Sequence, residues 1–141
     1  MMRTVFVLVL TIGLAACGVT QGKKEGEALA ERYFSAAARG DDVSVLAMYD
    51  AAFYGTTSRA QWQEQYGRIR AKLGKPQHHT LKNWRVTSTA TTEGSGQFVE
   101  LVYDVEYERG KGTESIGVFL PARSGTAGIR SHHFNSDDLL R

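Results

Sequence analysis

The spacing of apolar residues changes at Pro76, and this change limits the possible folds more than any other feature of the chain. Before Pro76, apolar residues recur every three or four positions, as on one face of a helix; after it, they alternate with polar residues, as in half-buried strands. Helices followed by an antiparallel meander predict an α+β domain, in which N-terminal helices pack on a curved antiparallel sheet. At 141 residues, the chain has room for one such domain.

Three helices are predicted before Pro76. The first begins near residue 25 and ends at Gly40, and the second follows Asp41, whose side chain suits an N-cap. The third begins after Ser58, carries Gln61 at the spacing of a capping box, and ends at Gly74. The predicted helices therefore have start and stop signals in addition to their periodicity.

Four strands are predicted after Pro76, over Leu81–Thr91, 98–108, Thr113–Leu120 and Ile129–Asn135. The strand over 98–108 alternates most clearly, so its two faces can be assigned. We expect the core face to carry Val99, Leu101, Tyr103, Val105 and Tyr107. The opposite face then carries Phe98, Glu100, Val102, Asp104, Glu106 and Glu108.

The N-terminus has the composition of a signal peptide. Arg3 precedes an apolar run, and Val5–Ala16 supplies 12 largely apolar residues that end in small side chains. A helix needs roughly 20 apolar residues to span a bilayer, so a permanent transmembrane helix is not expected here. The sequence Leu14-Ala15-Ala16-Cys17 resembles the lipobox of bacterial lipoproteins at all four positions.

This resemblance implies a cleaved and lipidated protein. A peptidase would cut between Ala16 and Cys17, and acyl chains on Cys17 would anchor the mature protein in a membrane. Gly18 replaces the Asp that retains proteobacterial lipoproteins at the inner membrane, which implies the outer membrane, facing the periplasm, in a Gram-negative cell. The expected organisation is a signal peptide over 1–16, a lipidated polar tether over 17–26 and a domain over 27–141.

A second resemblance concerns the domain. The segments Ala30–Ala36, Gly40–Asp42 and Leu46–Asp50, followed by Leu73-Gly74 before the sheet, are similar to the nuclear transport factor 2-like (cystatin-like) superfamily from about residue 26 to 138. The resemblance implies helices that close one face of a curved sheet to form a cone. This superfamily includes isomerases, dehydratases, hydrolases and noncatalytic binding modules, so the fold does not choose a function.

Aromatic residues are the candidate lining of a pocket in the cone, although the same spacings suit an ordinary core. The candidates are Tyr33, Tyr49, Phe53, Trp84, Tyr103 and Tyr107. Superfamily enzymes use an inward carboxylate, often with a His or Tyr partner. The acids of the strand over 98–108 face outward, which argues against a site on that strand and leaves Asp50 or Glu114 on other elements.

The four histidines form two adjacent pairs, His78-His79 and His132-His133. Neighbouring strand residues face opposite ways, so one member of each pair can enter a given site. If His133 shares the inward parity of Ile129, it can pair with an inward acid; if Phe134 is inward, His132 takes that place. Two histidines do not complete a zinc site, and we expect no metal or cofactor.

The charge balance limits the partners. The chain has 17 basic and 15 acidic residues, and removing residues 1–16 takes away only Arg3, so the mature chain stays near neutral. Nucleic-acid binding normally needs a strong basic excess, and this class is set aside. Basic residues over 68–85 and acids over 93–108 either pair across neighbouring strands or form a bipolar docking surface.

The function expected from these patterns is a membrane-anchored, noncatalytic binding or envelope-assembly module. The alternative is a small-molecule enzyme of isomerase, dehydratase or hydrolase type, using the cone pocket. The expected partners are the membrane, through acyl chains on Cys17, and either an envelope protein or a small apolar ligand. A homodimer through the sheets is a further alternative, because superfamily members often pair in this way.

Overall fold

The computed structural model describes residues 13–91, 94–123 and 125–141, with side chains from residue 17 onward except at position 91. The apolar part of the expected signal peptide therefore lies largely outside the described residues. The helices are α1 (Gly13–Arg39), α2 (Asp42–Ala47), α3 (Ala51–Thr56) and α4 (Arg59–Leu73). The strands are β1 (Pro76–Thr91), β2 (Gly94–Tyr107), β3 (Gly110–Pro121) and β4 (Gly128–Asn135), and a 3₁₀ turn follows at Asp137–Leu139.

The four described strands form one open antiparallel sheet in the order β1-β2-β3-β4. The helices precede the sheet in the chain and cover one of its faces, and α1 packs across β1, β2 and β3. The predicted α+β class, with N-terminal helices on a curved antiparallel sheet, is confirmed. The two faces of β2 are also confirmed, because the residues from Val99 to Tyr107 on the predicted core face are all buried.

Local signals set the helix ends as expected. Asp41 caps α2 by accepting a hydrogen bond from the Ser44 amide, and Ser58 and Gln61 form the reciprocal capping box of α4. Gly74 follows α4 with φ of 78°, a conformation that favours glycine. The six-residue helix α3, which Asp50 caps, was not predicted.

The polar segment over 17–26 is not an extended tether, contrary to the sequence-based expectation. It forms the N-terminal turns of α1, and Gly22 and Gly26 are buried against the sheet. Glycine lets the helix approach closely: a Cβ added at Gly26 would lie 2.7 Å from Val99 Cγ1. An ion pair of 2.8 Å between Lys23 and Glu27, one helical turn apart, supports the same turns.

No helix in the part of the chain that the structure describes is long and apolar enough to cross a membrane.

Candidate functional site

A β-bulge in β4 decides which histidine enters the core. Gly117 pairs with Ser131 and Val118 pairs with Ile129, so Arg130 is an extra residue between the two pairs. The bulge inverts the alternation, and Ile129 and His132 are both buried while His133 is exposed. Of the two alternatives left open by the sequence, the one with His132 inward is therefore correct.

His132 belongs to a buried chain of hydrogen bonds. Its Nδ1 lies 2.6 Å from the hydroxyl of Tyr49, and its Nε2 lies 2.8 Å from Oε2 of Glu114. The hydroxyl of Tyr107 donates to the other carboxylate oxygen, Oε1, at 2.6 Å. We call these four residues, Tyr49, His132, Glu114 and Tyr107, the polar network.

The polar network joins four parts of the fold. Tyr49 lies between α2 and α3, Tyr107 ends β2, Glu114 lies on β3 and His132 on β4. Glu114 shares the buried parity of Ile116 on β3, which is why its carboxyl group points inward. The network therefore ties the short helices to three of the four strands.

The network is closed to solvent. The side chains of His132 and Glu114 are 0% and 1% exposed. Aromatic rings surround His132: Phe134 stacks on it at 4.4 Å between centroids, and Tyr33 meets it edge-on at 5.0 Å. Trp62 of α4 lies 6.1 Å from the same ring. These rings pack around the imidazole of His132.

The hydrogens of the network fit one arrangement. When Glu114 is ionised and His132 is neutral, Nε2–H donates to the carboxylate and Nδ1 accepts from the Tyr49 hydroxyl. Tyr107 then donates to the remaining carboxylate oxygen. Each of these four groups has a partner inside the protein, as buried polar groups require.

Burial raises the pKa values of the tyrosine hydroxyls around Glu114. Burial, and next the charge of Glu114, raise the pKa of Tyr33 and of Tyr107 above the ordinary value of 10.0. Burial is also the main cause that raises the pKa of Tyr49, followed by Tyr66 and Glu114. These phenols therefore stay neutral and can donate hydrogen bonds at physiological pH.

The candidate pocket residues separate into three groups. Tyr33, Tyr49 and Tyr107 converge on Glu114 and His132, and Phe53 and Tyr103 lie in the hydrophobic core. Trp84 is 42% exposed on the edge strand β1, where Lys23 lies 5.3 Å from its ring centroid. The six residues therefore do not line one pocket.

Asp50 and His79, two other candidates from the sequence, do not belong to the polar network. Asp50 accepts a hydrogen bond of 2.7 Å from Arg130, in addition to capping α3, and so takes no part in an acid–base pair with histidine. His79 lies 2.8 Å from Glu31 near the surface. Within the described residues, no group of three or more His, Cys, Asp or Glu side chains is arranged to hold a metal ion.

The described surface includes two open grooves of several hundred Å³. One, of about 700 Å³, lies at the end of the sheet where β2 ends and β3 begins. Polar and charged residues line it, including His78, Asp104, Glu106, Lys111, Asp138 and Arg141. The other, of about 480 Å³, lies between α4 and β4, and its apolar lining is Trp62, Ile69, Phe134 and Leu139. His132 also borders this second groove.

Two ion pairs join the charged segments across neighbouring strands. Lys82 lies 3.4 Å from Asp104, and Arg85 lies 3.8 Å from Glu100, both between β1 and β2 on the outer face. Arg68 pairs with Glu64 along α4 at 2.9 Å. These contacts favour the interpretation in which neighbouring charges on the outer face neutralise one another.

The fold and the site together define a class: an α+β domain with helices on an open antiparallel sheet and a closed polar network between the two layers. No protein-family model matches the chain, and no curated protein is similar to it. Among solved structures, the chain is similar to Bd1075 of Bdellovibrio bacteriovorus, with a TM-score of 0.53 and 14% sequence identity. The similarity covers 80% of this chain and 40% of Bd1075, and at this identity it supports the fold alone.

Proposed function

We propose that this protein is a bacterial lipoprotein with a nuclear transport factor 2-like domain, anchored in the cell envelope through Cys17. The domain acts as a noncatalytic binding or envelope-assembly module, and its partner is an envelope protein. Gly18 after the lipidated residue favours the outer membrane, facing the periplasm. The signal-peptide pattern and the four matching lipobox residues, Leu14 to Cys17, support the anchor.

The proposal that the domain is noncatalytic rests on the closed polar network. Both ring nitrogens of His132 and both carboxylate oxygens of Glu114 already have partners within the protein. A general acid or base must come within hydrogen-bond reach of its substrate. The buried pair therefore fits a structural role, in which it fixes the register of β3 and β4 and the position of Tyr49.

The anchor is tested by replacing Cys17. We expect the membrane fraction to contain a protein that begins at Cys17 and carries a diacylglyceryl group and an amide-linked acyl chain. We expect Cys17→Ala to lose this added mass and to leave the detergent-rich phase, because the acyl chains supply the membrane affinity. Intact-mass spectrometry and detergent partitioning measure both effects. An unmodified Cys17 in the membrane-derived protein would contradict the proposal.

The closed site is tested by the reactivity of two adjacent histidines. Diethyl pyrocarbonate acylates accessible neutral imidazole, and we expect it to modify exposed His133 and to spare His132 in the native protein. Both should react after unfolding in urea. Fragmentation of the peptide that contains both residues measures each one. Rapid modification of His132 in the folded protein would show an open site and argue against a purely structural role.

The groove between α4 and β4 favours a second candidate function. Trp62 and His132 both border it, and Trp62 lies beside Tyr49 with 5.4 Å between the ring centroids. Movement of Trp62 would connect the groove to His132 and the Tyr49 hydroxyl, giving an acid–base pair for a small apolar substrate. This function requires that His132 react with diethyl pyrocarbonate and that a bound ligand protect it.

A further inference from the structure

Helix α1 continues without interruption to the residue that would carry the lipid. Cys17 lies in the first turns of α1 and is exposed, and the helix extends to Arg39. We call residues 17–26 the docked segment. An extended tether of this length would have allowed the domain to move up to roughly 30 Å from the membrane, at about 3.3 Å per residue. The docked segment removes that freedom.

One face of the docked segment is held against the sheet over three successive turns. The side-chain amide of Gln97 donates to the carbonyl oxygen of Gly18 at 3.2 Å. One turn further, Gly22 faces Gln97 and Val86, and after another turn Gly26 faces Val99. Contacts at three positions spaced four residues apart fix the direction of the helix as well as its position.

The part of the sheet next to Cys17 is close to neutral. We call residues 88–91, 94–97, 120–123 and 125–127 the hairpin end. These described residues include no Asp or Glu and include the basic Arg123, whose charge Glu93 balances in the sequence. On the docked segment, Lys23 and Lys24 are balanced by Glu25 and by Glu27, which pairs with Lys23. The position of Cys17 beside this end, and not its charge, therefore brings it to the membrane, and a neutral end meets little repulsion from anionic headgroups.

The opposite end of the sheet has an excess of acids. Asp104, Glu106, Asp137 and Asp138 border the groove of about 700 Å³, together with the basic Lys111 and Arg141. The strands run the length of the sheet, so this groove is at the far end from Gly18 and Gln97. Repulsion from anionic lipid would disfavour an orientation with this acidic end toward the membrane.

Trp84 and Lys23 lie at the side of the docked segment. Lys23 is six positions after Cys17, which is about 9 Å along the helix axis. The polar layer of a bilayer is roughly 5–8 Å thick on each side, so with α1 perpendicular to the bilayer Trp84 would lie near its outer boundary. An exposed tryptophan beside a lysine is typical of residues that contact headgroups.

We propose that the docked segment and the acyl chains on Cys17 hold the domain against the membrane in one orientation. The hairpin end contacts the headgroups, and the groove that contains Asp104 and Asp138 faces away, toward soluble or membrane-distal partners. This inference rests on the proposed lipidation of Cys17, and it adds the orientation to it.

The orientation can be measured with two single-cysteine labels. Cys17 is the only cysteine in the chain and would be acylated, so an introduced cysteine takes the label alone. Ser95→Cys labels the exposed hairpin end, and Asp137→Cys labels the exposed far end. Each full-length lipidated protein is placed in vesicles of phosphatidylethanolamine and phosphatidylglycerol that contain headgroup-nitroxide lipid. We expect the fluorophore at position 95 to be quenched severalfold more than that at position 137.

A flexible insertion is the matched control. Six Gly/Ser residues inserted after Gly18 leave the domain unchanged and restore a tether. We expect the difference in quenching between the two labels to fall towards zero, while intact mass shows that Cys17 is still lipidated. Equal quenching without the insertion, or an unchanged difference with it, would overturn the inference. Absence of lipid on Cys17 would instead overturn the proposed function itself.

Discussion

Gly26 and Gly67 both lie inside helices, but their surroundings differ. A Cβ at Gly26 would meet Val99 at 2.7 Å, whereas a Cβ at Gly67 would meet nothing within 4 Å. We expect Gly67→Ala to raise the free energy of unfolding by roughly 0.5–1 kcal/mol, because alanine favours the helix. We expect Gly26→Ala to lower it by about 1–3 kcal/mol through overpacking. Urea denaturation measures both, and a stabilising Gly26→Ala would contradict the close packing of α1.

Two glutamates on the sheet allow a test of how much the polar network contributes to the free energy of unfolding. Glu114 accepts hydrogen bonds from Tyr107 and lies 2.8 Å from His132 in the core, whereas Glu100 lies 3.8 Å from Arg85 on the exposed face. We expect Glu114→Gln to lower the free energy of unfolding by about 1–3 kcal/mol, because the amide NH₂ of Gln cannot accept one of the two hydrogen bonds and leaves a buried donor unpaired.

Glu100→Gln is the control for that prediction. We expect it to change stability by less than about 1 kcal/mol, because exposed ion pairs contribute little. Urea denaturation followed by circular dichroism compares the two variants. Similar losses at both positions would mean that burial adds nothing to the Glu114 interactions.

At the scale of elements, the stability of α4 depends on the N-cap of its first turn. The Ser58 hydroxyl accepts from the Gln61 amide at 3.2 Å, and α4 then brings Trp62 and Tyr66 to the core. We expect Ser58→Ala to lower the free energy of unfolding by about 1 kcal/mol, because the cap is lost. Ser58→Asp retains a capping oxygen and should remain close to wild type. A loss of the same size in Ser58→Asp would point to a different cause.

Elements with a local signal were predictable from the sequence. The capping box of α4 and the alternation of β2 both lie within short segments, and both have the predicted form. The inward position of Glu114 was also readable, because it shares the parity of Ile116 and Val118 on β3. These features depend on neighbouring residues alone.

Features that depend on distant contacts were not predictable. The bulge at Arg130 arises from the pairing of β4 with β3, and it reverses the parity that Ile129 suggests for His132. The docked segment is rich in glycine and polar residues, which locally favour a tether, and its helix forms against Val99 and Gln97. The polar network needs four elements together, so no single segment indicates it.

At the scale of the whole molecule, the tyrosines make stability sensitive to alkaline pH. Burial raises the pKa of all 6 tyrosines above 10.0 in the folded protein. Below pH 10 this contribution is fully present, because the phenols are protonated in both states. Above pH 10 the unfolded chain loses protons first, so stability falls by about 1.4 kcal/mol per pH unit for each deeply buried phenol.

Phenolate absorbance at 295 nm and circular dichroism measure this effect together. We expect most of the absorbance change to coincide with unfolding, with half-buried Tyr54 titrating first. An absorbance change equal to several tyrosines near pH 10, ahead of the loss of ellipticity, would show that the phenols are accessible in the folded protein.

The glycines of the docked segment also set an order of assembly. A glycine inside a helix costs roughly 1 kcal/mol relative to alanine, and short helices are marginal in water, so residues 17–26 cannot stay helical alone. Their partner Gln97 is 79 positions later in the chain than Gly18. The first turns of α1 are therefore synthesised before the β1–β2 hairpin but can become ordered only after it has formed. The docked segment is therefore made early but becomes ordered late in folding.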